Sequence, residues 1–587
     1  MLESGELDTL HFNATQQQHS KLDTRQMHTT RRQQRHLTAP ISYLRMPNLL
    51  RVPGRMSRIV VLILATVAYG LFSMAEGSQI LMITMGGTKS HKIPFISLGQ
   101  GLASRGHQVT FISAFPPDSE AIGAAGSESG WLEEVAPAGL VFYVRNYTNW
   151  DLLGARLRGE DPVTAASVLS YGIYACEAFL SDPETQELLH SGRNFDLLIL
   201  DGAYPECALG LAHHFRAPYM YINTVGFYMG TLSLAGNPAP YAVTPFFGRP
   251  FTDSMGLYSR ALNTGYMLLL KTMQAALIHV WLQGILRYHI SPSVPSIYAL
   301  AKNVSFTLHN GHATVSYPRA FLPNVAEIAC IHCHPPKPLP KHLDDFIKAG
   351  GDHGFIYVSM GSSVKASNMP EYLRVLFVQV FSQLPYQVLW KWEAGETDMS
   401  DLPPNVMLSR WLPQQDLLGH RKIRAFVTHG GLLSMFETVY HGVPVLTMPV
   451  FCDHDANAAK AELDGYALKL ELQHLTAEKL LWGINKVIHD PRYRFNALHR
   501  STLLRDQSET PLEKAIFWTE YVLRHRGAYH LQSPAKDMSF IEYFLLDVIA
   551  LYILVAVALI LVTRKICQIL SKTLTRQCHI VIKIKTN

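Results

Sequence analysis

The segment Phe426 to Asn457, FVTHGGLLSMFETVYHGVPVLTMPVFCDHDAN, constrains the fold more tightly than any other part of the chain. It reads as an apolar strand, RAFVTH, that stops at His429, then a glycine pair, a helix, and a second apolar strand, VPVLTMPV, running to Phe451. Strand, helix and strand in that order form the unit from which parallel sheets are wound, with a right-handed crossover. Gly430 and Gly431 allow a tight turn and close approach to a ligand. The helix opening near Leu432 aims its free N–H groups and positive dipole end at the same place. A diphosphate suits that position. Glu437 lies about two turns along the helix, where a carboxylate can take both hydroxyls of a ribose. Asp453 and His454 follow the second strand at its carboxyl end, the edge where open parallel sheets hold ligands.

The same alternation occurs twice. Gln79–Thr84 reads as a buried strand, Pro94–Ser104 as a helix and His107–Ser113 as a second strand. From Gly354 the order is strand, helix over Pro370–Leu384, strands at Val388–Trp392 and Val406–Ser409, then the segment above. Between the units, Pro335, Pro336, Pro338 and Pro340 make a stiff, extended connector. The expected domains are therefore 76–329 and 346–540, joined by 330–345. A chain of 587 residues with 48% hydrophobic content can bury two such cores. Cys330-Ile331-His332-Cys333-His334 has locally correct spacing for zinc but lacks a second ligand pair. Seven cysteines are too few to be read as a disulfide framework for a body this large.

Three further motifs carry a resemblance. Trp411 to His420, WLPQQDLLGH, fits a W-x-P-Q-x-x-L-L-x-H pattern, Tyr357 to Ser362 reads YVSMGS, and Phe195 to Asp201 reads FDLLILD. With the His-Gly-Gly segment, the chain resembles the membrane-bound UDP-glycosyltransferases. That resemblance implies the α/β GT-B fold, two facing doubly wound Rossmann-like domains with a cleft between them. It implies that Trp411 stacks on uracil while Gln414 reads its edge and Glu437 holds the ribose. Ser362, His429, Gly431 and Ser434 are then assigned to the phosphates, and Asp453 and His454 to the sugar. The catalytic base is His91, in the loop after the first strand, oriented by Asp201 at the end of another. Without the resemblance, His91 reads equally as a capping or exposed histidine, and Asp201 as a helix N-cap. Three positions depart from the family pattern: His454 replaces the usual Gln, Leu433 stands where many plant members carry Asn, and Cys452 takes a small-residue position.

The implied reaction is a metal-free inverting displacement that gives a β-glycoside. His91 deprotonates the hydroxyl of a small lipophilic acceptor, and UDP leaves with charge stabilisation from the phosphate-binding groups. No cofactor or metal is expected, and no D-x-D metal motif is evident in a loop of the right kind. Glucose is the favoured sugar; glucuronate, or binding of a nucleotide-sugar without turnover, stays open. Homo-oligomerisation also stays open.

The ends point to a membrane. Arg58 precedes a 14-residue apolar run, Ile59 to Phe72, closing on Ser73-Met74-Ala75, so 58–75 reads as a signal peptide. Residues 1–57 are polar and aperiodic, a disordered or upstream extension. Phe544 to Val562, apolar except for Asp547, falls in an expected transmembrane helix over 541–563. The basic tail 564–587 carries no acidic residue, which places it in the cytosol by the positive-inside rule. Its KIKTN ending looks like an endoplasmic-reticulum retrieval signal. The catalytic part would then be lumenal in a single-pass type I protein, with glycosylation sequons at Asn146 and Asn303. Tyr258–Tyr288 is helical and apolar without a clear polar face, which reads as core or acceptor-pocket lining, or as a membrane-associating surface. The net charge of +5 carries no nucleic-acid signature.

Overall fold

The computed structural model describes residues 77–585 except 118–125, 128–129, 148–149, 226–229, 247 and 395–398. The extension, the signal peptide and the threonine of the Asn146 sequon lie outside the described residues.

The first sheet contains β1 (Gln79–Ile83), β2 (Gln108–Ile112), β3 (Gly126–Ser127), β4 (Gly130–Val135), β5 (Leu197–Asp201), β6 (Tyr219–Asn223), β7 (Phe306–His309) and β8 (Val325–Glu327). Their spatial order is β3-β4-β2-β1-β5-β6-β7-β8, parallel throughout except for the β3–β4 pair. The second sheet contains β9 (Phe355–Ser359), β10 (Gln387–Lys391), β11 (Val406–Ser409), β12 (Ile423–Thr428), β13 (Val445–Thr447) and β14 (Ala467–Lys469). It is wholly parallel, in the order β11-β10-β9-β12-β13-β14.

Both orders reverse once. The first sheet grows from β1 towards β4 and then restarts at β5 on the other flank of β1; the second grows from β9 to β11 and restarts at β12. At such a reversal the two flanking crossovers cover opposite faces and leave a crevice at the strands' carboxyl ends. The central strands are covered on both sides, so β1, β5, β6 and β9 are near-continuous apolar runs, as a buried parallel sheet requires.

Several boundaries differ from expectation. The helix after β1 begins at Lys89 rather than Pro94, so His91 sits in its first turn and not in a loop. Pro94 is inside the helix, in its second turn, where the missing N–H removes one i to i−4 hydrogen bond. A helix, Lys341–Ala349, starts within the expected 330–345 linker, because Leu343 and Ile347 bury one face of it.

The helix Pro511–Arg524 lies within the expected 346–540 domain but returns to the first sheet. Ala515, Val522 and Ala528 join Phe95, Phe111 and Phe306 in that core, and Arg105 binds Glu520 at 3.0 Å. In the reverse direction, Leu152 and Leu153 pack into the second domain's core. Each domain thus clamps the other.

The cysteine reading needs correction. Cys176 pairs with Cys207, joining the helices Ala165–Leu180 and Glu206–Phe215, and Cys330 pairs with Cys333. Closing the 31-residue loop of the first pair contributes about 3–4 kcal/mol by the chain-entropy relation. The few cysteines could not be paired from spacing alone because their partners are brought together by the fold.

Tyr258–Tyr288 is not core. It forms the helix Leu257–Met273, a π-turn over Gln274–Ile278 and the helix His279–His289, in which Leu257, Tyr258, Val280, Trp281 and Tyr288 are exposed. Among the residues described there, Asn263, Met267, Leu282 and Leu286 are buried, and Asn263 serves to bind the backbone of Tyr241, Thr244 and Phe246. At the carboxyl end one helix runs from Leu546 to Lys585, continuing through the expected boundary at 563 because no glycine or proline interrupts it. Leu546–Gln577 is exposed, and long and apolar enough to cross a membrane.

Candidate active site

The register β1–β5 brings the residues just past Ile83 beside Asp201. There His91 Nδ1 lies 2.8 Å from Asp201 Oδ2, with the carboxylate almost fully buried. Asp201 also accepts from Thr84 Oγ1 at 2.7 Å, from Thr224 Oγ1 at 2.9 Å and from the Ala203 amide at 3.0 Å. A buried carboxylate needs such donors to stay ionised. Burial pushes the Asp201 pKa up, but the His91 charge and these hydrogen bonds more than reverse that and leave it below the ordinary value. For His91, burial works against the charged ring; the charge and hydrogen bond of Asp201 outweigh it and raise the pKa. The negative charge of Asp453 adds to this rise, placing the end of the second sheet within electrostatic reach of His91.

Thr84 and Thr224 were not singled out from the sequence. Each lies just beyond the end of a strand, and only the lateral pairing of β1, β5 and β6 identifies the carboxylate they serve.

The second crevice lies between the turns after β9 and β12. Gly361 takes φ 79° and its missing side chain matters, because a Cβ there would stand 2.4 Å from the His429 ring. Gly431 confines the same ring from another direction, with a virtual Cβ 2.6 Å from Nε2. His429 also packs edge-on against His454, centroids 4.4 Å apart. Burial pushes the His429 pKa down to about 3, helped by nearby Lys391, so the ring is neutral and contributes an N–H rather than a charge. Gly431 caps the helix Leu432–His441, whose opening amides face this crevice in the manner of an anion site. Ser362 is exposed on the turn after β9.

Ser434, read as a phosphate-binding group, sits beside Gln414 and Glu437. Its Oγ accepts from Gln414 Nε2 at 3.0 Å, and the same amide nitrogen binds Glu437 Oε2. Gln414 Oε1 in turn accepts from the Tyr357 hydroxyl at 3.2 Å. Gln414 thus orients the Glu437 carboxylate. Trp411 is 65% exposed, with Lys89 Nζ 5.1 Å above one face, leaving the other face for a stacked ring.

Asp453 precedes the helix His454–Leu463 and accepts from Asn457 Nδ2 at 2.7 Å. Asn457 also binds the Gly430 carbonyl at 3.0 Å, tying the two ends of the signature together. This i, i+4 pair on one helix face was legible in the sequence but not assigned. Cys452 stands at φ 56° in the turn ahead of Asp453, a conformation that explains a preference for a small residue there. His454 is buried, and burial, then His429, then Arg156 keep its pKa well below the ordinary value. That shift disfavours the charged imidazole. Among the described residues, no group of three His, Cys, Asp or Glu side chains is arranged to hold a metal ion. Asn146 and Asn303 are both exposed.

Two crevices, one with a carboxylate-oriented imidazole and one with an anion-binding helix terminus, are what a group transfer from a diphosphate to a hydroxyl requires. The family model described as UDP-glucoronosyl and UDP-glucosyl transferase matches residues 162–580. The chain belongs to this family. It is 30% identical over 519 residues to UDP-glucosyltransferase 2 of Dactylopius coccus, covering 87% of this chain and 96% of that one. It is 34% identical over 400 residues to UDP-glucuronosyltransferase 2A3 of Mus musculus, covering 67% and 72%. In fold it is similar to the glycosyltransferase VinC solved in complex with DTDP, with a TM-score of 0.51 at 18% identity over 76% of this chain and all of VinC. The protein is thus a GT-B glycosyltransferase that takes its sugar from a UDP-sugar.

Proposed function

We propose that this UDP-glycosyltransferase moves glucose from UDP-glucose to a hydroxyl of a small lipophilic acceptor, with inversion, giving a β-glycoside. The observation that carries this reading is the 2.8 Å His91–Asp201 pair at the first crevice, within electrostatic reach of Asp453 at the second. His91 takes the acceptor proton as oxygen attacks the anomeric carbon from the face opposite UDP; Asp201 fixes the tautomer and stabilises the imidazolium. The leaving diphosphate is met by the neutral His429 N–H, the amides opening at Gly431 and the Ser362 hydroxyl, donors that need no metal or cofactor. Asp453 and His454 hold the sugar.

Glucose is favoured over glucuronate because the sugar end offers little positive charge. Burial, more than any neighbour, disfavours a charged His454, and nearby Arg156 is already bound to Asp455 and Glu471. Glucuronate remains the second reading, favoured by the similarity to UDP-glucuronosyltransferase 2A3. Purified full-length chain, given UDP-glucose or UDP-glucuronate with a phenolic acceptor, should release UDP fastest from UDP-glucose. Faster release from UDP-glucuronate would support the second reading, and UDP binding without release would support a binding protein.

A lumenal, single-pass arrangement in the endoplasmic reticulum is supported by the exposed apolar helix Leu546–Gln577 and by the Cys176–Cys207 disulfide, which suits an oxidising compartment. The exposed apolar helices over 257–289 suit contact with the same membrane.

Two expected results bear on the donor site. Trp411→Ala should weaken UDP binding by about 1–3 kcal/mol through lost stacking, measured by calorimetry. An unchanged dissociation constant would place uracil elsewhere. His454→Gln should leave the shape of the pH–rate profile unaltered, since burial already holds the imidazole's pKa well below the ordinary value. A displaced acid limb in that variant would show that His454 does titrate.

A further inference from the structure

The Cys330–Cys333 disulfide closes a short turn in which Cys333 N–H binds the Cys330 carbonyl at 2.9 Å. Cys330 stands at φ 67°, a conformation that side-chain-bearing residues disfavour, and is packed beside Phe436 and Met435 of the helix that carries Glu437. His332, held between the two cysteines, places Nε2 3.1 Å from Glu437 Oε1, with both side chains at least nine-tenths buried. The turn is also clamped by Gln415, which binds the His332 carbonyl at 3.1 Å and accepts from the His334 amide at 3.0 Å. Among the described residues His332 Nδ1 is buried without a hydrogen-bond partner, so within them the Glu437 contact is the ring's one polar anchor.

The consequence lies at Glu437. A carboxylate has about four acceptor positions. Gln414 occupies one on Oε2 and His332 one on Oε1, which fixes the plane of the group and leaves two for a vicinal diol. We propose that His332, held in place by the Cys330–Cys333 disulfide, is a positioning residue for the donor-binding carboxylate Glu437, and that opening this disulfide weakens binding of the UDP-sugar. The inference rests on the reading of Glu437 as the ribose-binding group.

The redox step is a two-electron exchange with a dithiol. One dithiol sulfur, as thiolate, attacks Cys333 Sγ, the less buried of the two; the S–S bond breaks and Cys330 leaves as thiolate. The second dithiol sulfur then displaces Cys333, so the dithiol ends as a disulfide and both cysteines take up protons. Cys330, no longer tethered, is free to leave its positive φ, and His332 loses its hold on Glu437.

The test uses the full-length chain in detergent, with UDP-sugar kinetics and UDP calorimetry. His332→Phe should raise the KM for UDP-sugar by about tenfold with kcat within about twofold, the loss expected for one hydrogen bond to a charged group. His332→Gln, which restores an N–H donor, should recover most of that loss. Dithiothreitol should raise KM reversibly in a Cys176→Ala/Cys207→Ala variant and have no effect on KM in Cys330→Ser/Cys333→Ser. An unchanged KM both in His332→Phe and on reduction would overturn the proposal. UDP binding that survives Glu437→Ala intact would instead overturn the reading of Glu437, and the proposal with it.

Discussion

His91→Ala is expected to lower kcat by about a hundredfold to ten-thousandfold, the usual worth of a positioned general base, while the dissociation constant for UDP stays within about twofold. The two effects separate because His91 lies on a helix of the first domain and the proposed nucleotide-binding groups on the second. Loss of UDP binding in this variant would mean that the substitution disturbs the contact between domains and does not report on chemistry. The methyl side chain of Ala also removes the ring that approaches a Cβ built on Gly86, so the variant leaves space rather than creating a clash.

The second large effect concerns Asp201→Asn. The amide keeps the shape, but with one acceptor oxygen it can take only one of the bonds from Thr84 and Thr224, which reach different carboxylate oxygens, and it no longer stabilises the imidazolium or enforces the reactive tautomer. By comparison with the equivalent change in a Ser-His-Asp triad, a loss of about ten-thousandfold in kcat is expected. The pH profile gives a second readout. His91 must be neutral to accept a proton, so activity rises with pH through its pKa, which Asp201 holds above 6.5. Removing the carboxylate leaves burial as the largest influence, and burial lowers a histidine pKa. The acid limb of kcat/KM should therefore move to lower pH in Asp201→Asn even as the maximum falls. A limb that stays in place would show that another group sets it.

The sequence carried the second domain more fully than the first. In the His-Gly-Gly segment the ligand-facing groups are close in the chain: Gly431 caps the helix, Glu437 lies on it, and Asp453 precedes the next one. Local rules for strands, caps and helix faces are enough to place them. The first domain builds its site from β1, β5 and β6, and the partners His91, Asp201 and Thr224 are separated by more than a hundred residues overall. His91 and Asp201 were found through resemblance to a family; Thr84 and Thr224 had no signal without the strand register.

For the apolar helices over 257–289 the sequence left core lining and a membrane-associating surface both open for a physical reason. Apolar composition identifies a surface that avoids water, but it does not say whether protein or lipid covers it. The exposed Trp281 and Tyr288 show that the protein itself does not. The disulfides were missed for a related reason: spacing in sequence says nothing about Cys176 and Cys207, whose Cα atoms come within 5.6 Å only when two helices pack.

The central claim is that a histidine in the first domain activates an acceptor hydroxyl against the back face of a sugar whose UDP is held in the second. The most direct measurement is the anomeric configuration, by proton NMR, of the glycoside formed from UDP-α-glucose and a phenol by the full-length chain. A β-glycoside, formed in step with UDP and lost in His91→Ala, is the expected result. An α-glycoside, or a β-glycoside formed undiminished without His91, would contradict the account.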